Sequence, residues 1–267
     1  MSFVVHNNTY METFDKPTTL KPDDAIKLVI SGNRRGRNSM KLIASWSGGK
    51  DSCFALHKAL QDGHEVQNML IMMRDRNTSN FHMISGELLD AQAQAIGIPI
   101  LKVPTTPQKY EEDFKKAIQD AKKKGAEGII TGDIYDVALH EPGWLDKITK
   151  EIGLVPVRPL WHRDTTEVLD EWINEGFRAT VVRVKKEVLG MDYLGRTLDR
   201  NFFNDLKNLG NVDLCGEHGE YHTFVTDGPI FNKSIEIQES KTSTVNGWGR
   251  LEITKFTVKP KGRKATK

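Results

Sequence analysis

At 267 residues and 30.2 kDa, the chain has room for one or two domains and a sizeable core. Charged residues make up 28% of it and apolar residues 38%, and no apolar run approaches the ~18 residues that a membrane-spanning helix needs. The net charge of +2 is unevenly placed: residues 259–267 carry five positive charges and no acid, which leaves the rest at −3 without the basic face of a nucleic-acid reader. Two distant cysteines, Cys53 and Cys215, fit neither a disulfide framework nor a paired metal-ligand spacing. They predict a reduced, cytoplasmic setting, and the polar start of the chain lacks the pattern of a secretory signal.

In chain order, residues 1–39 read as an N-terminal extension with one strand candidate at Ala25–Ile30, and Met40 opens the core domain. From there short apolar strands at Leu42–Ser45, Val66–Met73, Ile100–Val103 and Gly128–Gly132 alternate with helical patterns. The first helix follows Ser52 and stops at Gly63, the second runs from Ser85 to Ile96, and the third carries Tyr110, Phe114, Ala117, Ile118 and Ala121. Strands and helices alternating in this way predict an α/β domain with a parallel sheet over 40–160. Beyond it, a helix at Thr165–Glu175, a strand at Phe177–Val184 and a helix at Arg200–Leu209 lead to strands at Ser234–Gln238 and Leu251–Val258. The last two are joined through the hairpin signal Asn246-Gly247. This predicts a smaller α+β substrate domain over 161–258, followed by a basic tail over 259–267.

The segment richest in chemistry is Ser47-Gly48-Gly49-Lys50-Asp51-Ser52, set between the first core strand and an amphipathic helix. Paired glycines let the backbone approach an anion closely, and the helix N-terminus supplies amides and a positive dipole end. Ser47 and Ser52 add hydroxyls and Lys50 adds charge, whereas Asp51 suits magnesium better than phosphate. Ala44 stands where a Walker loop needs its first glycine, and Asp51 stands where it needs Ser or Thr. The hexapeptide resembles instead the S-G-G-x-D-S pyrophosphate loop (PP-loop) of ATP pyrophosphatases. That resemblance implies ATP binding, attack on the α-phosphate, and release of pyrophosphate.

A second motif runs Cys215-Gly216-Glu217-His218-Gly219-Glu220-Tyr221-His222-Thr223-Phe224-Val225, then Asp227-Gly228-Pro229. With Thr131-Gly132-Asp133, Arg158-Pro159-Leu160-Trp161 and Leu194-Gly195-Arg196, it resembles the diphthine–ammonia ligase family over about residues 40–231. The resemblance implies a HUP-type ATP-binding domain, a C-terminal substrate domain, and conversion of diphthine, ammonia and ATP into diphthamide, AMP and pyrophosphate on elongation factor 2. His218 and His222 depart from the usual G-E-G-G-E-Y/F-E-T form and resemble bacterial-type variants. The family chemistry is therefore expected to hold more firmly than the acceptor. Two other readings stay open: a paralogue adenylating another small carboxylate, linked to cobalamin salvage, and a HUP-fold nucleotide sensor without turnover.

Residue by residue, Ser47–Ser52, Gly132 and Asp133 are expected to bind ATP, with Asp51 and Asp133 holding Mg2+. Glu217 and Glu220, three apart, are expected to face one cleft as catalytic carboxylates, with His222 exchanging protons near neutral pH. His82, Arg158, Arg196 and His218 are the candidate substrate contacts. A zinc site at His218 and His222 is disfavoured because H-G-E-Y-H is not H-E-x-x-H. The five tryptophans are expected to pack rather than stack on a base. The expected partners are ATP, ammonia and a carboxylate acceptor, with no nucleic acid or membrane, and with a homodimer left open.

Overall fold

The computed structural model describes residues 39–261 apart from 76, 80, 81 and 137–140, all within the compact unit Asn33–Lys267. The strand expected at Ala25–Ile30 and most of the basic tail lie outside these residues. The first half alternates as its apolar pattern requires: β1 (Lys41–Ser45), α1 (Lys50–Gln61), β2 (Glu65–Met73), α2 (Gly86–Ile96), β3 (Ile100–Pro104), α3 (Tyr110–Lys123), β4 (Gly128–Ile130), α4 (Trp144–Ile152) and β5 (Val155–Val157). All five strands pair in parallel in the order β3-β2-β1-β4-β5, the doubly wound arrangement expected of a HUP-type domain.

Alternation along β2 shows why its sequence is apolar throughout. Met69, Ile71 and Met73 join the core on the side of α1 and α2, whereas Leu70 and Met72 pack with Phe114, Ile118, Leu145 and Ile148 of α3 and α4. A strand with both faces covered shows no polar alternation. Ser85 caps α2 by accepting from the Leu88 amide, and Gly97 ends it at φ 88°.

The second half comprises α5 (Thr165–Asn174), β6 (Arg178–Lys185), a 3-10 turn at Met191–Tyr193, α6 (Arg200–Leu209), β7 (Tyr221–Asp227), β8 (Lys233–Val245) and β9 (Trp248–Pro260). Its sheet is antiparallel where paired, in the order β7-β6-β9-β8. Asp164 and Asp199 cap α5 and α6. Asn246 and Gly247, at φ 49° and 81°, form the expected tight turn between β8 and β9. The motif read as a glycine-flanked loop is half strand: Tyr221 to Asp227 is β7. One continuous core joins this region to the α1–α2 side of the first sheet.

Candidate active site

The Ser47–Ser52 loop leaves the C-terminal end of β1 and enters α1, at the sheet edge where open α/β folds gather ligands. Gly48 holds φ 81°, which favours glycine, and a Cβ there would lie 3.2 Å from Gln92 Oε1. A Cβ on Gly49 would strike the His82 ring. Ser52 Oγ lies 3.0 Å from Ser47 Oγ and donates to Gly49 O, and Ser47 Oγ accepts from the Gly49 amide. Cys53 N donates to Gly49 O at 3.2 Å, so the Asp51 and Ser52 amides precede the first helical bond of α1.

The second sheet helps to hold this loop. Val225 N donates to Gly48 O at 3.0 Å, and Lys50 N donates to Thr223 Oγ1 at 3.0 Å. Fully buried Gln92 donates to both Gly48 O and Val225 O and accepts from Trp46 Nε1. Gly132 brings the end of β4 against the first turn of α1, where a Cβ would lie 2.5 Å from Asp51 C.

Around the loop lies a cleft of about 300 Å³, lined among others by Ser47, Lys50, Asp51, Asp133, Glu217 and His222. Lys50 is 4% exposed, pairs with Asp51 Oδ2 at 2.8 Å and donates to Cys215 O. Burial disfavours its charge, yet Asp51, with Tyr221, Cys215 and Glu217 beyond, holds its pKa well above the usual lysine value. The other Asp51 oxygen, Oδ1, is buried without a hydrogen-bond partner. Burial also raises Asp133, while the Thr131 hydroxyl and Arg158 pull it down. Burial and then the charge of Asp51, opposed by Lys50, push the Glu217 carboxyl up to about 8. One cleft thus holds a glycine-rich loop at a helix N-terminus, a fixed cation and a carboxyl raised to about 8.

Residues 40–156 match the diphthamide synthase N-terminal domain, and residues 164–258 match the diphthamide synthase C-terminal domain. The chain belongs to the diphthamide synthase family. Relatives in this family include the diphthine–ammonia ligases of Mus musculus, 27% identical over 229 residues, and Homo sapiens, 28% identical over 229 residues. Each alignment spans 76% of this chain and 84% of the relative. Among solved structures, a predicted subunit of tRNA methyltransferase from Methanocaldococcus jannaschii is similar at 15% identity and a TM-score of 0.41. The match covers 71% of this chain and 98% of that one.

The family motif divides in space. Glu217 faces the cleft, whereas Glu220 is 5% exposed and turned into its own loop. Its two oxygens accept from the Asp213 and His218 amides at 3.1 and 3.0 Å, so this carboxylate shapes the loop rather than meeting a substrate. Of the expected pair of catalytic carboxylates only Glu217 lines the cleft, because the entry into β7 turns Glu220 inward. His222 lines the cleft 4.7 Å from the His82 ring, but burial, then His82, Arg183 and Lys50, hold it well below the usual histidine range. It is a neutral contact near pH 7, not the proton exchanger the sequence suggested. His82 also lines the cleft; burial takes it to about 4, and its Nδ1 lies 3.0 Å from Thr223 O.

The four expected substrate contacts also separate. Arg158 reaches the cleft, pairing with Asp146 at 2.5 Å over the Trp161 ring. Arg196 does not: it pairs with Asp205 at 2.6 Å between Tyr193 and Phe202. His218 is exposed and outside the cleft lining. Tryptophan packing holds for Trp172 and Trp46, although Trp46 also borders the cleft. Trp144 and Trp161 line it with Tyr110, Phe114 and Tyr135, an aromatic wall missed because its members come from separate elements. Gln92 was missed as well, since one glutamine in an amphipathic helix carries no signal of its own.

Proposed function

We propose that the chain is an ATP-dependent C–N ligase that adenylates a carboxylate and passes the acyl group to ammonia, releasing AMP and pyrophosphate. The observation that carries this reading is the placement of Glu217, with its carboxyl near 8, in the same cleft as the Ser47–Ser52 loop. The triphosphate would lie on that loop. The Asp51 and Ser52 amides, the helix dipole and buried Lys50 would stabilise charge growing on the leaving pyrophosphate. The acceptor carboxylate would attack the α-phosphate, and ammonia would then displace AMP from the acyl carbon. Glu217 would take the proton that the nitrogen loses.

Asp51, with one buried oxygen unpartnered, and Asp133 fit a magnesium ion that arrives with the nucleotide, because such ions take one or two carboxylates together with substrate phosphates. Among the described residues no group of three or more His, Cys, Asp or Glu is arranged to hold a metal by itself, which suits an ion shared with ATP. When bound, magnesium would screen the negative charge of the triphosphate. The name of the relatives, diphthine–ammonia ligase, supports diphthine as the acceptor.

The test is product analysis with ATP, ammonium and candidate acceptors. Acceptor-dependent AMP and pyrophosphate are expected. ADP and phosphate, or nucleotide binding with no acceptor-dependent turnover, would overturn the reading.

A further inference from the structure

The loop that carries Glu217 is held from behind by a carboxylate. Asp213 stands two residues before Cys215, is half-buried, and is not among the residues lining the cleft. Its Oδ1 accepts from the Cys215 amide at 2.9 Å and from the Glu217 amide at 3.1 Å. Its Oδ2 accepts from the Thr165 hydroxyl at 2.8 Å. One short side chain thus orients two peptide planes of the loop and ties them to the first residue of α5. Hydrogen bonds to a carboxylate are shorter and stronger than those to a neutral oxygen.

Both anchored amides lead to charged groups of the cleft. Cys215 O accepts from Lys50 Nζ, and Glu217 faces the cleft with its carboxyl. Between them the Gly216 amide donates to Asp213 O at 3.0 Å, and a Cβ on Gly216 would lie 3.0 Å from the Tyr221 ring, so this stretch has little room to drift. Thr165 is fixed in turn. It is 8% exposed, and its carbonyl accepts from Cys215 Sγ at 3.4 Å. Helix α5 is pinned to α1 by Lys58, which pairs with Glu171 at 2.5 Å and Glu175 at 3.5 Å. The path closes on itself: Lys50 and Lys58 on α1, Glu171 and Thr165 on α5, then Asp213, and Cys215 O back to Lys50.

We infer that Asp213 is a positioning residue that aims two groups at once, Lys50 through the Cys215 carbonyl and Glu217 through its own amide. It acts by geometry, not as a charge that meets substrate. This deepens the ligase reading and rests on it for what Lys50 and Glu217 do. Asp213→Asn keeps the arrangement, since an amide oxygen accepts from both backbone amides and the Thr165 hydroxyl can turn to accept from the new NH2 group. Asp213→Glu keeps the charge but carries its oxygens one methylene further out. Asp213→Ala leaves two amides without their acceptor.

The test compares these three variants with wild type in the full chain, each assayed well below its melting temperature. The readouts are kcat and KM for pyrophosphate release with ATP, magnesium, ammonium and diphthine, calorimetric affinity for a non-hydrolysable ATP analogue, and the rate at which an amine-reactive reagent labels Lys50, mapped by peptide mass. Asp213→Ala and Asp213→Glu are expected to lower kcat roughly tenfold or more with a smaller change in KM for diphthine, because a misplacement of ~1 Å is costly in rate. Both are also expected to bind the analogue more weakly and to expose Lys50 to faster labelling. Asp213→Asn is expected to stay close to wild type in all three.

Asp213→Asn losing as much as Asp213→Ala overturns the proposal, because charge and not geometry would then be at work. So does an Asp213→Ala protein that melts lower yet keeps wild-type kcat, analogue affinity and Lys50 labelling, the mark of a loop bond that is structural alone. If Asp213→Ala does not fold, the Asn and Glu variants decide, and Asp213→Glu matching wild type overturns the proposal. A wild type without acceptor-dependent AMP overturns the ligase reading instead, while analogue affinity and Lys50 labelling still judge Asp213.

Discussion

Gly132→Ala tests how closely the end of β4 must approach the phosphate loop. The φ of Gly132 lies outside the left-handed region, so alanine meets no backbone penalty and the perturbation is steric. Its Cβ would lie 2.5 Å from Asp51 C, 2.6 Å from Ser52 N and 2.8 Å from Asp51 O, all backbone atoms of the first turn of α1. Ordinary contact begins near 3.4 Å, so the turn must retreat by nearly an ångström. Overpacking of this kind costs about 1–3 kcal/mol, offset by ~0.4–1 kcal/mol from the stiffer unfolded chain. From the middle of each range the net is about 1.3 kcal/mol, and at ~2–4 °C per kcal/mol for a domain of this size the melting temperature should fall by roughly 3–5 °C. The functional loss should be larger, because misplacing catalytic groups by ~1 Å costs on the order of 100-fold in rate. Thermal unfolding and pyrophosphate release on the same preparation measure both. Unchanged stability would refute the packing argument, and lower stability with unchanged ATP affinity and turnover would show that the Asp51 and Ser52 amides do not bind phosphate.

Three further outcomes follow from the site. In wild type, the acceptor-dependent rate should rise with pH through a midpoint near 8 as Glu217 ionises, measured with free ammonia held constant; Glu217→Gln should abolish that limb and keep ATP binding. Glu220→Gln loses one of two backbone acceptors, so it should lower stability by about 1–3 kcal/mol in denaturant unfolding while leaving the Glu217 limb in place. His82 and His222 have folded pKa values below that of free histidine, so the unfolded chain binds protons first. Their stabilisation is complete above pH 6.5 and is lost as the pH falls through the folded values, about 4 for His82; His82→Asn should flatten the acid side of a profile of unfolding free energy against pH by about 3 kcal/mol.

Much of this was legible in the sequence because it is local. Glycine pairs, apolar runs and Asn246-Gly247 act through neighbouring residues, and β1 to β4, α1 to α3 and the β8–β9 turn came out close to expectation. What escaped depends on partners far along the chain. β5 is three residues with a proline at its centre, too short for periodicity to register, and it forms only because β4 offers an edge. β7 hides behind glycines and charges, and Glu220 looks like Glu217 until the fold turns one towards backbone amides and the other towards the cleft. Arg183 and Arg250 are 67 positions apart, and only strand register makes them neighbours.

The hydrogen bonds from β7 to the phosphate loop have a consequence for how the molecule can be divided. A fragment ending after β5 would keep the whole Ser47–Ser52 segment, yet it would strip Gly48 O of the Val225 amide and Lys50 N of the Thr223 hydroxyl. It would also remove Cys215 O from Lys50 and leave that ammonium to swing. The nucleotide grip is therefore a splice between two sheets, and neither half is a transplantable cassette.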